Sequence, residues 1–115
     1  MKLIVAIIQP PKLSAVQGAL AKVGVERMTV CDAQGFARQL GQTEFYRGLE
    51  HQVQFLRKIA LEIVVNDDFL DRAIETIEAV ARTGPEGNIG DGKIWVVPLA
   101  EAYQIGGSSQ GPEAV

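Results

Sequence analysis

The chain is poor in the residues that build covalent and metal chemistry. Cys31 is its single cysteine and His51 its single histidine, which excludes an intrachain disulfide and leaves too few soft ligands for a structural zinc site. No metal is expected on the protein's own account. There is no excess of positive charge: 11 Lys and Arg face 14 Asp and Glu, a net charge of -3. A broad nucleic-acid face needs a basic surface, so nucleic acid is not an expected partner. Long hydrophobic runs are missing as well. The apolar stretch KLIVAIIQ stops at Pro10 and Pro11, too short for a secretory signal or a membrane span. Direct membrane insertion is not expected, and a reducing cytoplasm suits the cysteine content. What remains is ordinary for a soluble globular chain, with 115 residues, 47% hydrophobic and 22% charged. That is room for one domain with a modest core.

The hydrophobic pattern divides that domain. Lys2 to Gln9 is a β-branched run and reads as a buried strand. From Lys12, Leu13, Val16, Leu20 and Val23 recur at helical spacing, and Gly24 stands at the C-cap. Met28 to Gln34 alternates as a strand, and Lys58 to Val65 is another. Asn66, Asp67 and Asp68 are placed to cap a second helix, with Leu70, Ala73, Ile74, Ile77, Val80 and Ala81 on one face. Lys93 to Pro98 is the last strand, and 106–115 is expected to be a flexible tail. The order strand, helix, strand, strand, helix, strand predicts an α+β ferredoxin-like βαββαβ sandwich. KLIVAII, ALEIVV and KIWVV are apolar on both sides, yet two helices can cover only one. An exposed apolar sheet face of that size predicts an oligomer. Trp95 and Cys31 are expected in apolar interiors.

Two segments lie outside this economy. Gly87 to Lys93, GNIGDGK, fits the G-x-x-x-x-G-K part of a phosphate loop. The NTPase loop leads from a strand into a helix N-terminus, however, whereas here a helix precedes the glycines, a strand follows, and Ile94 replaces the required Ser or Thr. Two readings stay open: a plain turn-rich connection, or a nest of successive amides that receives an anion with Lys93 as cation. The second segment is the connection from Gly35 to Arg57, far longer than a hairpin loop and rich in charge of both signs. It reads as a solvated β-ribbon or as a recognition arm.

Read together, AIIQPPKL from Ala6, RMTV from Arg27, GFARQLGQTEFYRG from Gly35, FLRKIALEIVV from Phe55 and IGDGKIWV from Ile89 resemble the P-II signal-transduction proteins, as a divergent member. The resemblance covers nearly the whole chain, and TEFYRG with IGDGKI makes it specific. It implies a domain over 1–105 in a trimer, a T-loop at about 36–57 and a B-loop at about 83–92. Adenine nucleotide is implied in the clefts between subunits, with Thr29, Glu62 and Val64 facing the adenine. Arg38, Lys93 and the backbone of Gly90, Asp91 and Gly92 would then meet the phosphates. Gln39, Gly41 and Lys58 match the positions of a second ligand or of Mg, the latter only if ATP binds. Glu44, Tyr46, Arg47, Glu50 and His51 fall on the T-loop, which implies a target protein such as a membrane transporter or a metabolic enzyme.

The departures bear on the ligand. The B-loop is about three residues longer than the usual form, with Pro85 and Glu86 near a habitual lysine. Gln104 and Gly106 stand where two arginines reach a neighbour's phosphates, Leu40 replaces a lysine, and His51 takes the place of a tyrosine that some members have uridylylated. ADP or AMP is therefore expected to be favoured over ATP, and the second anion is either bicarbonate or 2-oxoglutarate. A carbon-linked P-II-like sensor of ADP or AMP and bicarbonate is the alternative within the superfamily. A nucleotide-hydrolysing enzyme and a ligand-free structural trimer are the alternatives outside it. No catalytic constellation is visible, so no enzyme is expected.

Overall fold

The computed structural model describes the backbone of residues 1–39 and 52–115 and the side chains of 1–35 and 56–115. Strand β1 (Lys2–Ile8) leads through a 3-10 turn, Pro10–Lys12, into α1 (Leu13–Lys22). Strands β2 (Thr29–Gln39) and β3 (Gln52–Val65), helix α2 (Asp67–Ala81) and strand β4 (Gly92–Pro98) follow. The sheet order is β2-β3-β1-β4 with every pairing antiparallel, the ferredoxin-like α+β arrangement expected from the element order.

Side-chain alternation puts Ile4, Ala6 and Ile8 of β1 and Ile59, Leu61 and Ile63 of β3 on the helix-covered face. There they close with Val16, Leu20, Ala73 and Ile77 into one core. The first helix ends at Lys22 with Val23 as its C-cap; Gly24 then takes a φ of 90° and the amide of Val25 donates to the carbonyl of Leu20 at 2.9 Å. That is the left-handed cap for which glycine is suited. At the start of α2, Asn66 is the capping residue, although its side chain makes no cap hydrogen bond. Beside it Asp67 accepts from Lys2 Nζ at 3.0 Å, joining β1 to the helix.

The other face carries Leu3, Val5 and Ile7 on β1, Ala60, Glu62 and Val64 on β3, and Trp95 and Val97 on β4. In one protomer this face is open. Trp95 is 44% exposed and Val97 41%, and Cys31 is exposed on edge strand β2. Both Trp95 and Cys31 thus depart from the expected interior positions, because apolar character alone does not say which face of a sheet the helices cover.

One further expectation changes. The predicted second and third strands are longer than their apolar cores. Pairing continues from Thr29↔Glu62 to Gln39↔Gln52, so much of the segment from Gly35 to Arg57 is β-ribbon. Arg38 and Gln39 lie in its backbone, opposite Val53 and Gln52. Gly41, Glu44, Tyr46, Arg47, Glu50 and His51 lie outside the described residues. The C-terminal residues form a short hairpin and a turn. Tyr103 bridges Gln110, the amide of Gly111 donates to Ala102 O at 2.7 Å, and Gly111–Ala114 forms a 3-10 turn. Asn66 Nδ2 holds that turn through Pro112 O at 3.1 Å. Pro112 suits the first turn of a helix because it has no amide to satisfy.

Candidate functional site

The glycine loop begins where α2 ends at Ala81 and closes at Gly92, the first residue of β4. Its centre is a carboxylate. Asp91 accepts from the amide and the hydroxyl of Thr83 at 2.9 and 2.7 Å and from the amide of Asn88 at 2.8 Å. Asn88 Nδ2 in turn donates to Thr83 Oγ1 at 2.7 Å. The backbone and hydroxyl of Thr83, then the Asn88 amide, hold the Asp91 carboxyl below the usual range, partly offset by burial and helped by the charge of Lys12. Hydrogen bonds to the ionised form have that effect.

Asp91 is bound into the loop itself. The amide of Asp91 donates to Asn88 O at 3.1 Å and its carboxylate faces inward, so Asp91 builds the loop from within. Among the described residues the amides of Ile89 and Gly90 have no hydrogen-bond partner, and the Ile89 side chain is fully exposed. Gly92 fixes the exit. Its φ is 133°, and a Cβ there would stand 1.8 Å from Ile7 O. Next to the loop is an open cleft of about 530 Å³, lined among others by Ile7, Arg82, Glu86, Asn88 and Lys93.

The residues that the resemblance assigns to adenine are elsewhere in the protomer. Thr29 and Glu62 are directly opposed across β2 and β3, with Val64 two residues further on the same face. Glu62 is exposed, and its row continues through Val5 to Trp95. Lys93 lies in the neighbouring row with Ile7 and Ala60. By strand and residue spacing, Glu62 and Lys93 are about 12 Å apart. Thr29, Glu62 and Val64 take no part in the cleft beside the loop. One protomer therefore keeps these two groups of candidate residues apart.

Lys58, opposite Ala33 in the ribbon, sends Nζ to Gly90 O at 2.7 Å. Gln9 Nε2 reaches the same oxygen at 3.1 Å. Gln9, Thr83 and Asn88 escaped the sequence reading; only the helix-before-glycines order marked this loop as unusual, and nothing in that order points to a partner 81 residues away. Gln104 and Gly106 sit in the C-terminal hairpin, where Gln104 N donates to Ser109 O. Among the described residues no group of three His, Cys, Asp or Glu could hold a metal ion. No helix there is long and apolar enough to cross a membrane.

Fold and loop define a small ferredoxin-like α+β protein with a glycine-rich turn beside an open sheet face. The chain belongs to the P-II family: the family's sequence model, Nitrogen regulatory protein P-II, matches residues 1–108. It is 48% identical over 115 residues to the Nitrogen regulatory protein P-II of Azospirillum brasilense, covering 100% of both chains. To Nitrogen regulatory protein P-II 1 of Escherichia coli (strain K12) it is 51% identical over 105 residues, 91% of each. A solved structure of B. subtilis GlnK superposes with a TM-score of 0.81 at 30% identity, covering 99% of this chain and 97% of that one. Membership makes the protein a signal-transduction regulator and not an enzyme. P-II proteins are trimers that act on target proteins, and they bind adenine nucleotides and 2-oxoglutarate.

Proposed function

We propose that three copies assemble through the open sheet face and bind adenine nucleotide between neighbours, and that occupancy sets how the T-loop engages a target protein in the cytoplasm. The separation of the two half-sites within one protomer carries this reading: Glu62 lies about 12 Å from Lys93, and Thr29, Glu62 and Val64 all lie outside the cleft beside the loop. A neighbouring subunit's glycine loop would complete an adenine patch that one chain leaves open. Light scattering at micromolar concentration is expected to give the mass of three chains. Trp95, half-exposed in one protomer, is expected to emit at shorter wavelength in the assembly than after dissociation. A stable monomer with an unchanged spectrum would overturn the assembly.

Within the site, Thr29, Glu62 and Val64 hold adenine, while the Gly90 amide, Gly92, Lys93 and Arg38 hold the phosphates. The cleft beside the loop also carries Glu78 and Glu86, and Gln104 and Gly106 supply no cation. Charge-assisted hydrogen bonds contribute roughly 1.5–3 kcal/mol each, so missing cations weigh most on the outer phosphate. ADP or AMP is expected to bind at least as tightly as ATP, and Mg to enter only with ATP. Calorimetry with the three nucleotides, each with and without 2-oxoglutarate and bicarbonate, tests this. ATP binding severalfold tighter than ADP, and tighter again with 2-oxoglutarate, would overturn the ranking. Tightening of ADP by bicarbonate alone would favour the carbon-linked reading. In either case the second anion's contacts are assigned to Gln39, Gly41 and Lys58. Glu44, Tyr46, Arg47, Glu50 and His51 are assigned to the target, a membrane transporter or a metabolic enzyme.

A further inference from the structure

An anion-receptive turn must keep its carbonyls away from the ligand. Glycine makes that difficult, because a peptide next to glycine can flip at little steric cost. The Gly90–Asp91 peptide is such a unit: Gly90, on its N-terminal side, has a φ of 101°. Turned around, it would present the Gly90 oxygen to an incoming phosphate. Its N–H is held by Asn88 O at 3.1 Å. Its carbonyl is held by two donors from outside the loop, Gln9 Nε2 at 3.1 Å and Lys58 Nζ at 2.7 Å. The Gln9 amide also stands 3.4 Å from Asp91 Oδ1.

Gln9 is well placed for this. It follows the last residue of β1, and its backbone is extended, with φ -74° and ψ 139°. Pro10 and Pro11 begin the 3-10 turn that follows, and the amide of Lys12 donates to Gln9 O at 2.9 Å. A proline restricts the residue before it to such extended angles. The side chain therefore starts from a fixed point, and Gln9 does not line the cleft itself.

We infer that Gln9 is a positioning residue for phosphate recognition: it holds the Gly90 carbonyl inward so that the loop amides face the nucleotide. The inference rests on the nucleotide reading above. The test is calorimetry of the full chain with ADP and with adenosine, comparing wild type, Gln9→Leu and Gln9→Lys. Gln9→Leu is expected to weaken ADP about fivefold, the effect of one lost hydrogen bond, and to leave adenosine unchanged. Gln9→Lys, which restores a donor, is expected to recover ADP affinity. Equal losses for ADP and adenosine would mean a general structural role and overturn the inference. Unchanged ADP affinity in Gln9→Leu, or no recovery in Gln9→Lys, would also overturn it. Failure of wild-type protein to bind ADP would instead sink the nucleotide reading itself, and is seen before any variant is made.

Discussion

Gly92→Ala is expected to lower the thermal midpoint by roughly 10 °C or more and to abolish nucleotide binding. A Cβ at this position would stand 1.8 Å from Ile7 O, 2.9 Å from Ile7 C and 3.3 Å from Ile8 Cα. All three are backbone atoms of a central strand, so no side chain can swing aside. The φ of 133° adds strain that an L residue rarely accepts. The register Ile8↔Gly92 and Ile7↔Lys93 must open, and β4 is joined to the sheet only through β1. About 3 kcal/mol is a reasonable cost for a special backbone position of this kind, which for a domain near 100 residues corresponds to the quoted fall in midpoint. Calorimetric melting checks the stability and ADP titration the binding. A midpoint within 2–3 °C of wild type, a margin of about half a kcal/mol, would mean that the strands part at this point without consequence.

Removing the carboxylate at the centre of the loop should separate binding from folding. Asp91→Ala deletes the acceptor for Thr83 N, Thr83 Oγ1 and Asn88 N. These donors lie on a surface loop and can turn to water, so the thermal midpoint should change little. The loop loses its shape, and ADP affinity is expected to fall more than twentyfold, against about fivefold for Gln9→Leu. The pH dependence has a definite sign. Because the folded protein holds the Asp91 carboxyl below its ordinary value, its contribution to the loop is fully present above an unfolded pKa of about 3.9. It is lost as pH falls through the lower folded value. ADP binding should therefore be insensitive to this group from neutrality down to about pH 3.9, and decline only below it. Asp91→Asn, whose amide cannot accept all three donors, should resemble Asp91→Ala at every pH. Near wild-type affinity in either variant would remove Asp91 from the loop's architecture.

Much of this protein could be read in its sequence, and the failures have physical causes. Val16 with Leu20, and Ala73 with Ile77, are legible because a helix buries one stripe. The β1 run and the β4 start are legible because both strands are continuous apolar segments bounded by Gly or Pro. Residues 35–39 and 52–57 were not legible as strand. GFARQ and QVQFLR are not cleanly alternating, and their pairing rests on backbone hydrogen bonds that composition does not report. Trp95 and Cys31 read as interior because hydrophobicity says that a side chain avoids water, not whether a helix or another subunit shields it. The two half-sites were legible only through family resemblance. The interior role of Asp91 and the reach of Gln9 to Gly90 were not legible at all, since both depend on contacts fixed by tertiary folding.

The ribbon described above has a mechanical consequence. β1 pairs with β3 only as far as Ile8↔Ile59, so from Lys58 outward the β2–β3 pair is a two-stranded beam anchored at one end. At about 3.3 Å per residue, Gln52 lies roughly 20 Å beyond Lys58. A rotation of about 10° at that anchor, well within the variation in twist of two-stranded ribbons, would sweep the Gln39↔Gln52 end through about 3 Å. Lys58, bonded to Gly90 O at 2.7 Å, sits at the fulcrum. A sub-ångström adjustment in the glycine loop that turned this anchor would reach the far end as a displacement the size of a hydrogen bond.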